Sequence, residues 1–268
     1  MKNYLDLLYK VLTDGETRAD RTGTGTKAIF GTNLEFDLRK GFPLITTKKI
    51  YTRSVIYELL WFLRGDTNIK YLRDNNVHIW DAWADEDGNV GKIYGYQWRH
   101  WGLCYSDVNP GIDQLQKAID DIKNNSTSRR ILVSAWNVGD LDQMNLPPCH
   151  IMYQFYASND GYLDLMFYMR SVDCFLGMPF DIASYALLLS MVAQVTDRKP
   201  RYLKCTFGDT HIYRNHFSQV AEQLKREPQP LPALQLNPDI KNIDDFRFED
   251  ITILNYNPLP AIKGEISV

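Results

Sequence analysis

Residues 151–168 have the sequence IMYQFYASNDGYLDLMFY, and this stretch decides the fold class. Its two ends, Ile151–Tyr156 and Tyr162–Tyr168, are apolar runs rich in aromatic residues, which are common in strands. The polar segment Ser158-Asn-Asp-Gly161 between them is typical of a tight turn. We therefore predict two strands joined by a short turn.

Downstream of these strands, Ile182–Val195 is the longest strongly apolar segment of the chain. It is shorter than the roughly 18 to 20 residues that a membrane span needs, so we predict a buried helix. Tyr202–Phe207 is predicted as a further strand. Asp209 or Thr210 is then predicted to cap a helix that runs to Arg226.

Upstream of residue 151, helical and strand-like patterns alternate. The predicted helices are Asn3–Asp14, Val55–Leu63 with Ser54 as its N-cap, and Ile112–Lys123, and the predicted strands are a pair within Ala28–Leu38 and one in Ile131–Trp136. Neither an internal repeat nor a clear domain boundary interrupts these segments. The sequence thus predicts one α+β domain over residues 1–268, with several helices packed on a mixed or antiparallel sheet.

The overall composition is that of a globular protein: 268 residues, 44% hydrophobic and 24% charged. A formal net charge of −3 argues against a protein that coats nucleic acid through a general positive field, so the expected ligand is small. The four cysteines lie far apart, and the N-terminus lacks the apolar stretch of a signal peptide. We therefore expect a cytoplasmic protein with reduced cysteines.

Cys149 is the candidate nucleophile, because it follows Pro147-Pro148 and precedes the titratable ring of His150. The alternative is a small buried cysteine at the start of a strand. Its reactivity depends on nearby positive charge, which four arginines in polar turns or at strand ends can supply. These are Arg21, Arg129, Arg130 and Arg170, the last followed by Ser171. Their guanidinium groups match the oxygens of a phosphate, so substrate and thiolate would share one positive field.

Three further features suit a small aromatic ligand. Glu58 is the one acid in an apolar helical segment, which is costly for a carboxylate without a use. The aromatic-dense segment Trp80–Trp101 can form a wall against a flat ring, and His211 with Tyr213 suits a sugar hydroxyl. No HExxH motif, cysteine pair or His and carboxylate cluster indicates a metal site, and the glycine-rich stretch at Gly23 lacks the Lys-Ser/Thr of a P-loop.

Eight motifs, taken in chain order, resemble the thymidylate synthase family. They are Asp20-Arg-Thr-Gly-Thr-Gly-Thr26, Glu58-Leu-Leu-Trp-Phe-Leu63, Ile79-Trp-Asp81, Tyr94-Gly95, Ser128-Arg-Arg130, Pro148-Cys-His150, Arg170-Ser171 and Gly208-Asp-Thr-His-Ile-Tyr213. The resemblance runs nearly from end to end, and the tail Pro258–Val268 is similar to the closing C-terminus of that family. On these motifs the chain is identified as a member of the family.

The resemblance implies an obligate homodimer, with a sheet face as the interface and with active sites shared between subunits. It also implies 5,10-methylenetetrahydrofolate as carbon donor and a deoxypyrimidine 5'-monophosphate as acceptor. By the same mapping, Cys149 adds to ring carbon C6, and Glu58, Tyr94 and His150 organise proton transfers. The resemblance also implies that the phosphate is bound by Arg21, Arg170, Ser171 and, from the partner subunit, Arg129 and Arg130. His211 and Tyr213 would bind the deoxyribose, and residue 181 would recognise the base. Lys48, Trp80 and Asp173 would contact the folate.

Two positions depart from the usual thymidylate synthase pattern. Asp181 stands where the family usually has an asparagine that hydrogen-bonds to uracil, and Met169 stands where it usually has glutamine. Phage deoxycytidylate hydroxymethylases resemble this chain at both positions. Cytosine offers a donor at its amino group and an acceptor at N3, the reverse of uracil, and a carboxyl group matches that pattern. The sequence therefore favours dCMP as substrate, unless Asp181 is only the N-cap of the following helix.

Other interpretations remain open on the sequence alone. His150 and the tail resemble enzymes that form a methyl group, whereas Asp181 and Met169 resemble those that form a hydroxymethyl group. The chain is alternatively an ordinary dUMP-methylating enzyme that tolerates Asp181. A protein that binds a nucleotide or RNA without catalysis is a third interpretation, which the intact Cys149 and Glu58 oppose.

Overall fold

The computed structural model of the protein describes residues 1–102 and 111–267, so Cys104 lies outside the described residues. The helices are α1 (Lys2–Asp14), α2 (Thr52–Leu63), α3 (Lys70–Asp74), α4 (Tyr94–His100), α5 (Gln114–Asn124), α6 (Gly177–Val195) and α7 (Phe217–Gln223). The strands are β1 (Glu16–Arg18), β2 (Thr26–Asp37), β3 (Leu132–Ser134), β4 (His150–Ala157), β5 (Tyr162–Asp173), β6 (Lys199–Tyr213), β7 (Ala233–Leu236) and β8 (Ile251–Leu254).

Within the described residues, six strands form one mixed sheet in the order β1-β2-β6-β5-β4-β3. The pair β5–β6 is parallel and the other neighbours are antiparallel. The predicted turn joins β4 to β5, and Gly161 at its end has φ +85°, a value that a residue with a side chain adopts only under strain. The α+β prediction is therefore confirmed, as are the two strands that suggested it.

Helix α6 covers the inner face of the sheet. Tyr153, Phe155, Leu165 and Phe167 alternate toward it from β4 and β5, and each is at most 1% exposed. By length and composition α6 could cross a membrane, but 83% of its most apolar window is buried inside the protein. It is a buried core helix, as predicted for Ile182–Val195.

Two helix starts differ from the prediction. Helix α2 begins at Thr52 after Tyr51, so Ser54 lies in its first turn and is not the N-cap. Helix α6 begins at Gly177, because the chain turns directly from β5 into the helix and Pro179 is tolerated in a first turn. Asp181 therefore lies inside α6, and the N-cap interpretation of this residue is wrong.

Two further predictions, one of a strand pair and one of a helix cap, were also wrong. The expected strand pair within Ala28–Leu38 is the single long strand β2. Asp209 and Thr210, predicted to cap a helix, lie within β6, and the helix that follows is only α7. The reason is tertiary: β6 pairs with β2 on one side and β5 on the other, and a 2.7 Å hydrogen bond joins the hydroxyls of Thr210 and Thr32.

Candidate active site

Cys149 lies immediately before β4, where backbone hydrogen bonds from two neighbouring elements fix it. Its N–H donates to the hydroxyl of Tyr94 on α4 over 2.8 Å, and its carbonyl accepts from the N–H of Arg170 on β5 over 2.9 Å. The Arg170 guanidinium donates to the carbonyls of Pro147 and Pro148, over 2.9 and 2.8 Å. The thiol and one arginine of the predicted phosphate site are thus adjacent.

The electrostatics at Cys149 combine opposing effects. Burial raises the pKa of the thiol, the charge of Arg170 lowers it, the carboxyl of Asp181 raises it, and a hydrogen bond with Tyr94 lowers it. Burial outweighs the cation, so the net pKa is above the ordinary value. Arg170 acts in the predicted direction but does not by itself produce a thiolate.

Glu58 on α2 and Trp80 form a pair near Tyr94, whose ring centroid is 5.9 Å from that of Trp80. The indole N–H of Trp80 donates to the carboxyl of Glu58 over 2.7 Å. Burial raises the pKa of Glu58 to about 7, and the indole hydrogen bond only partly opposes that shift. The carboxyl can therefore gain or lose a proton near neutral pH, which suits a general acid or base.

His150 lies in an aromatic cage that determines its charge. Its ring stacks on Tyr94 with centroids 4.0 Å apart, and its Nδ1 is 2.8 Å from the hydroxyl of Tyr185. Burial lowers the pKa of His150 to about 3, so the ring is neutral. Its Nε2 is 4.0 Å from Oδ1 of Asp181.

Asp181 is the second carboxyl of the site. Burial raises its pKa well above the ordinary value, and the charges of Glu58 and Asp173 raise it further. Among the described residues no hydrogen bond offsets this shift, and the nearest cationic candidate, His150, is neutral. Burial and the two neighbouring carboxyls therefore favour the protonated form of Asp181, which has both a donor and an acceptor oxygen.

The ends of β5 and β6 bring the predicted sugar and phosphate residues together. In the parallel register Ser171 lies beside Asp209, and Asp173 lies beside His211. Nδ1 of His211 is 2.9 Å from the Asp209 carboxyl, and its ring contacts Tyr213 edge-on at 4.9 Å.

Tyr213 connects this group to the nucleophile. Its pKa is raised to about 12, chiefly by burial and also by the charges of Asp173, Asp20 and Cys149, whereas Arg21 lowers it. Tyr213 is therefore within electrostatic range of both Cys149 and Arg21. Arg21 is exposed on a turn that Asp20 organises by accepting N–H bonds from Gly25 and Thr22 over 2.6 and 2.9 Å.

Arg129 and Arg130 do not join this cluster. Both are exposed on the turn before β3, and the Arg129 carbonyl accepts from Gln154 over 3.3 Å. Gln154 lies five residues along β4 from Cys149, which corresponds to roughly 16 Å of extended strand. Within the described residues of one chain, these two arginines are therefore apart from Arg21, Arg170 and the thiol.

Two of the three predicted folate contacts, Lys48 and Asp173, lie at the start of α6, whereas Trp80 lies against Glu58 on α2. The ammonium of buried Lys48 donates to the Phe175 carbonyl and lies 3.5 Å from the centroid of the Phe175 ring. Burial lowers the pKa of Lys48 to about 7, and the charge of Asp173 opposes that shift. The Asp173 carboxyl accepts from the N–H groups of Phe175 and Leu176 over 2.8 and 3.3 Å. An ammonium, a carboxylate and the Trp80 ring are chemically suited to a flat heterocycle that carries glutamate.

The C-terminal tail closes over this region. The carbonyl of Glu265 accepts from Nε2 of His216 over 2.8 Å, and Ser267 contacts Thr24 with hydroxyl oxygens 3.4 Å apart. A side chain on Gly264 would lie 2.8 Å from the Phe175 ring, so only glycine fits against that ring.

Sequence reasoning missed Tyr185 and His216 as members of the site. Tyr185 stands four residues after Asp181, a spacing that places both side chains on one helix face. That spacing could have identified Tyr185, but the segment is apolar throughout, so the residue was assigned to the core. His216 had no comparable signal, because its partner is a backbone carbonyl of the distant tail.

Comparison with known protein families agrees with this geometry. The family model described as thymidylate synthase matches residues 2–268. Members of this family transfer a one-carbon unit from a folate to a pyrimidine nucleotide, and the match covers every candidate residue described above. The chain belongs to the thymidylate synthase family.

Proposed function

We propose that this protein transfers a one-carbon unit from 5,10-methylenetetrahydrofolate to C5 of dCMP. The observation that carries the choice of nucleotide is the carboxyl of Asp181 on α6, which lies 4.0 Å from Nε2 of His150 and whose pKa burial raises well above its ordinary value. One oxygen of a neutral carboxyl donates to N3 of cytosine while the other accepts from the amino group. The same group held as a carboxylate would instead stabilise cytosine protonated at N3.

Discrimination at this edge of the base is expected to be large. A uracil bound in the same pose presents N3–H to a donor and O4 to an acceptor, so buried polar groups remain unpaired. Sites that recognise their substrate by buried hydrogen bonds discriminate by about a hundredfold or more against the wrong partner. The position of Asp181 beside His150 supports this role.

The chemistry proposed for Cys149 explains why the other residues are needed. Its deprotonated sulfur adds to C6, and the ring electrons then make C5 nucleophilic toward the carbon of the folate. A base removes the C5 proton, and the bond between the transferred carbon and the folate nitrogen breaks, which leaves an exocyclic methylene at C5. Once hydride or water has added to that methylene, the sulfur leaves C6 as the ring double bond re-forms. Because burial raises the pKa of the free thiol, we propose that phosphate binding brings further arginines to Arg170 and favours the thiolate on substrate binding.

The proton transfers are assigned to Glu58, Tyr94 and His150. Glu58 is suited to them because its pKa of about 7 lets it act as acid and base in one cycle. Tyr94 contacts both the backbone of Cys149 and the ring of His150, so it holds the nucleophile and the proton-transfer groups in one arrangement.

The nucleotide is proposed to lie between the ends of β5 and β6 and the turn that carries Arg21. Arg21, Arg170 and Ser171 bind the phosphate, and His211 and Tyr213 bind the deoxyribose. The polar residues at these strand ends support this placement, since they are adjacent in register and Tyr213 is within electrostatic range of Cys149.

A homodimer is proposed because one chain leaves Arg129 and Arg130 apart from this cluster. The outer face of the sheet exposes apolar side chains in register: Leu132 and Met166 both lie opposite Gln154, and Tyr156 is two residues along. Leu132, Met166 and Tyr156 are 39%, 39% and 66% exposed, which favours a covered surface. A second copy on this face would bring Arg129 and Arg130 to its partner's phosphate.

The folate supplies the transferred carbon when it is bound, and Lys48, Asp173 and Trp80 are proposed to hold it. Two products are compatible with this site. Hydride transfer from the folate gives 5-methyl-dCMP and dihydrofolate, whereas water added to the exocyclic methylene gives 5-hydroxymethyl-dCMP and tetrahydrofolate. We further propose that the protein works in the cytoplasm, since Cys149, Cys174 and Cys205 are free thiols.

Tritium release from C5 tests the substrate. We expect release from [5-³H]dCMP to exceed release from [5-³H]dUMP by about a hundredfold in kcat/KM. A strong preference for dUMP would refute the proposal. Mass spectrometry of the product, with dihydrofolate absorbance recorded in parallel, distinguishes the methyl from the hydroxymethyl product.

The second candidate function is methylation of dUMP to dTMP with dihydrofolate as co-product. His150 and the C-terminal tail, which contacts His216 and Thr24, favour it, because both resemble the methylating enzymes. Asp181→Asn separates the two functions, since an amide donates to O4 and accepts from the N3 hydrogen of uracil. We expect this substitution to transfer the preference to dUMP; an unchanged preference would show that residue 181 does not select the base.

A further inference from the structure

We propose that Tyr185 is a positioning residue that sets base specificity. By donating its phenolic proton to His150, it fixes the tautomer of that ring, and the tautomer fixes which oxygen of Asp181 donates. This inference rests on the proposed function, because it concerns the recognition of cytosine by Asp181. It assigns a role to a residue of the site that the proposed function does not use.

The surroundings of Tyr185 determine the direction of its hydrogen bond. The side chain is 3% exposed and packs among rings, stacking on Phe167 at 4.1 Å and meeting Tyr153 edge-on at 5.5 Å. Within the described parts of the chain, Nδ1 of His150 at 2.8 Å is its one hydrogen-bond partner. Burial raises the pKa of the phenol, so the O–H is retained, and leaving it without an acceptor would be costly. Tyr185 therefore donates and Nδ1 accepts.

The tautomer of His150 follows from this direction. A neutral imidazole has one donor nitrogen and one acceptor nitrogen. Burial keeps the ring neutral, with a pKa of about 3. Because Nδ1 accepts from Tyr185, the hydrogen is on Nε2, the nitrogen that is 4.0 Å from Oδ1 of Asp181. A modest shift on ligand binding brings such a pair within hydrogen-bond distance.

The donor on Nε2 then orders the carboxyl of Asp181. Oδ1 faces a donor and must accept, so the proton of the neutral acid is on Oδ2. In the proposed pose the C4 substituent lies on the side of His150, the side of the proton-transfer groups. Oδ1 then accepts from the amino group and Oδ2 donates to N3, which matches cytosine. With the opposite tautomer the proton would lie on Oδ1, facing Nε2, and Oδ2 would be left to accept, which suits the N3 hydrogen of uracil.

Tyr185→Phe removes the hydroxyl while keeping the ring that stacks on Phe167. Nδ1 then has no donor in reach, both tautomers become accessible, and the carboxyl can adopt either arrangement. We expect the ratio of kcat/KM for dCMP to that for dUMP to fall by about tenfold, the effect of one neutral hydrogen bond. Tyr153→Phe is the matched control. It removes a hydroxyl from the same aromatic cluster, but this hydroxyl has no hydrogen-bond partner among the described residues.

The direct readout is ¹H–¹⁵N NMR of histidine-labelled protein. The chain has five histidines, and His150→Gln assigns the signals of interest. We expect the Nε2–H tautomer in the wild-type protein and in Tyr153→Phe, and a mixture in Tyr185→Phe. Because the wild-type spectrum alone reports the tautomer, the test does not depend on the variant folding well.

The outcomes separate the inference from the proposed function. An Nδ1–H tautomer in the wild-type protein overturns the inference even if dCMP is the preferred substrate. So does an unchanged ratio in a Tyr185→Phe variant that has lost the Nε2–H tautomer. A wild-type protein with the expected tautomer that prefers dUMP contradicts the proposed function, and with it the specificity role, but leaves the Tyr185–His150 hydrogen bond intact.

Discussion

Replacing Glu58 with glutamine should make the protein more stable at alkaline pH. Burial raises the pKa of this carboxyl from 4.5 to about 7, so its ionised form is disfavoured in the folded state. The sign follows from linkage between protonation and folding. A carboxyl whose pKa is higher in the folded than in the unfolded state does not lower the free energy of unfolding well below pH 4.5, but lowers it increasingly as the pH rises toward 7. Glutamine carries no charge, and its side-chain oxygen can still accept from the indole of Trp80.

The magnitude can be worked from the two pKa values. Between pH 5 and pH 8.5, the free energy of unfolding of the wild-type protein should fall by about 2.5 kcal/mol relative to that of Glu58→Gln. Urea unfolding of both proteins at the two pH values measures this difference, and Glu249→Gln, a charge removal at an exposed surface position, is the matched control. If the wild-type and Glu58→Gln proteins show the same pH dependence within about 0.5 kcal/mol, the raised pKa of Glu58 is refuted.

Three further predictions concern catalysis. Cys149→Ala should abolish turnover while nucleotide binding remains measurable by calorimetry; residual turnover would refute covalent catalysis. Mixing Cys149→Ala with Arg129→Ala subunits should restore about a quarter of wild-type activity, because random exchange makes about half of the dimers mixed, each with one intact site; no recovery after verified exchange would contradict shared sites. Gly264→Ala should raise the KM for the folate several-fold in steady-state assays, since the new methyl group would meet Phe175 and His216 and displace the tail; an unchanged KM would separate the tail from folate binding.

Local patterns predicted the parts of the fold that depend on local chemistry. The turn at Ser158-Asn-Asp-Gly161 and the helix ended by Gly15 carry their own signals, and both occur close to where they were predicted. The segment around Asp209 carries a capping signal too, yet it is strand, because β2 and β5 supply hydrogen bonds along its whole length. Pairing partners that far away in sequence leave no mark in a local window.

In the candidate site, too, local patterns identified some features, whereas others depend on contacts between distant segments. Motifs identified Cys149, Glu58 and Asp181, because each is a reactive or charged group in an unusual context. The contacts that set their chemistry could not be predicted, since the pKa of Glu58 depends on burial and the tautomer of His150 depends on Tyr185. Those properties arise only when α2, β4 and α6 meet.

The strand order has a consequence for how the chain is made. Strand β2 pairs with β6, whose partner residues, such as Thr32 and Phe207, are about 175 residues apart. At ribosomal rates of roughly 5 to 20 residues per second, β6 is synthesised roughly 10 to 35 s after β2. During that time β2 is an unpaired edge strand that can pair with other chains. It carries Phe30, which is 81% exposed even after folding. Nascent chains stalled before residue 199 should therefore aggregate. Slower translation at low temperature lengthens the exposure of β2 and should increase aggregation unless chaperones cover that edge.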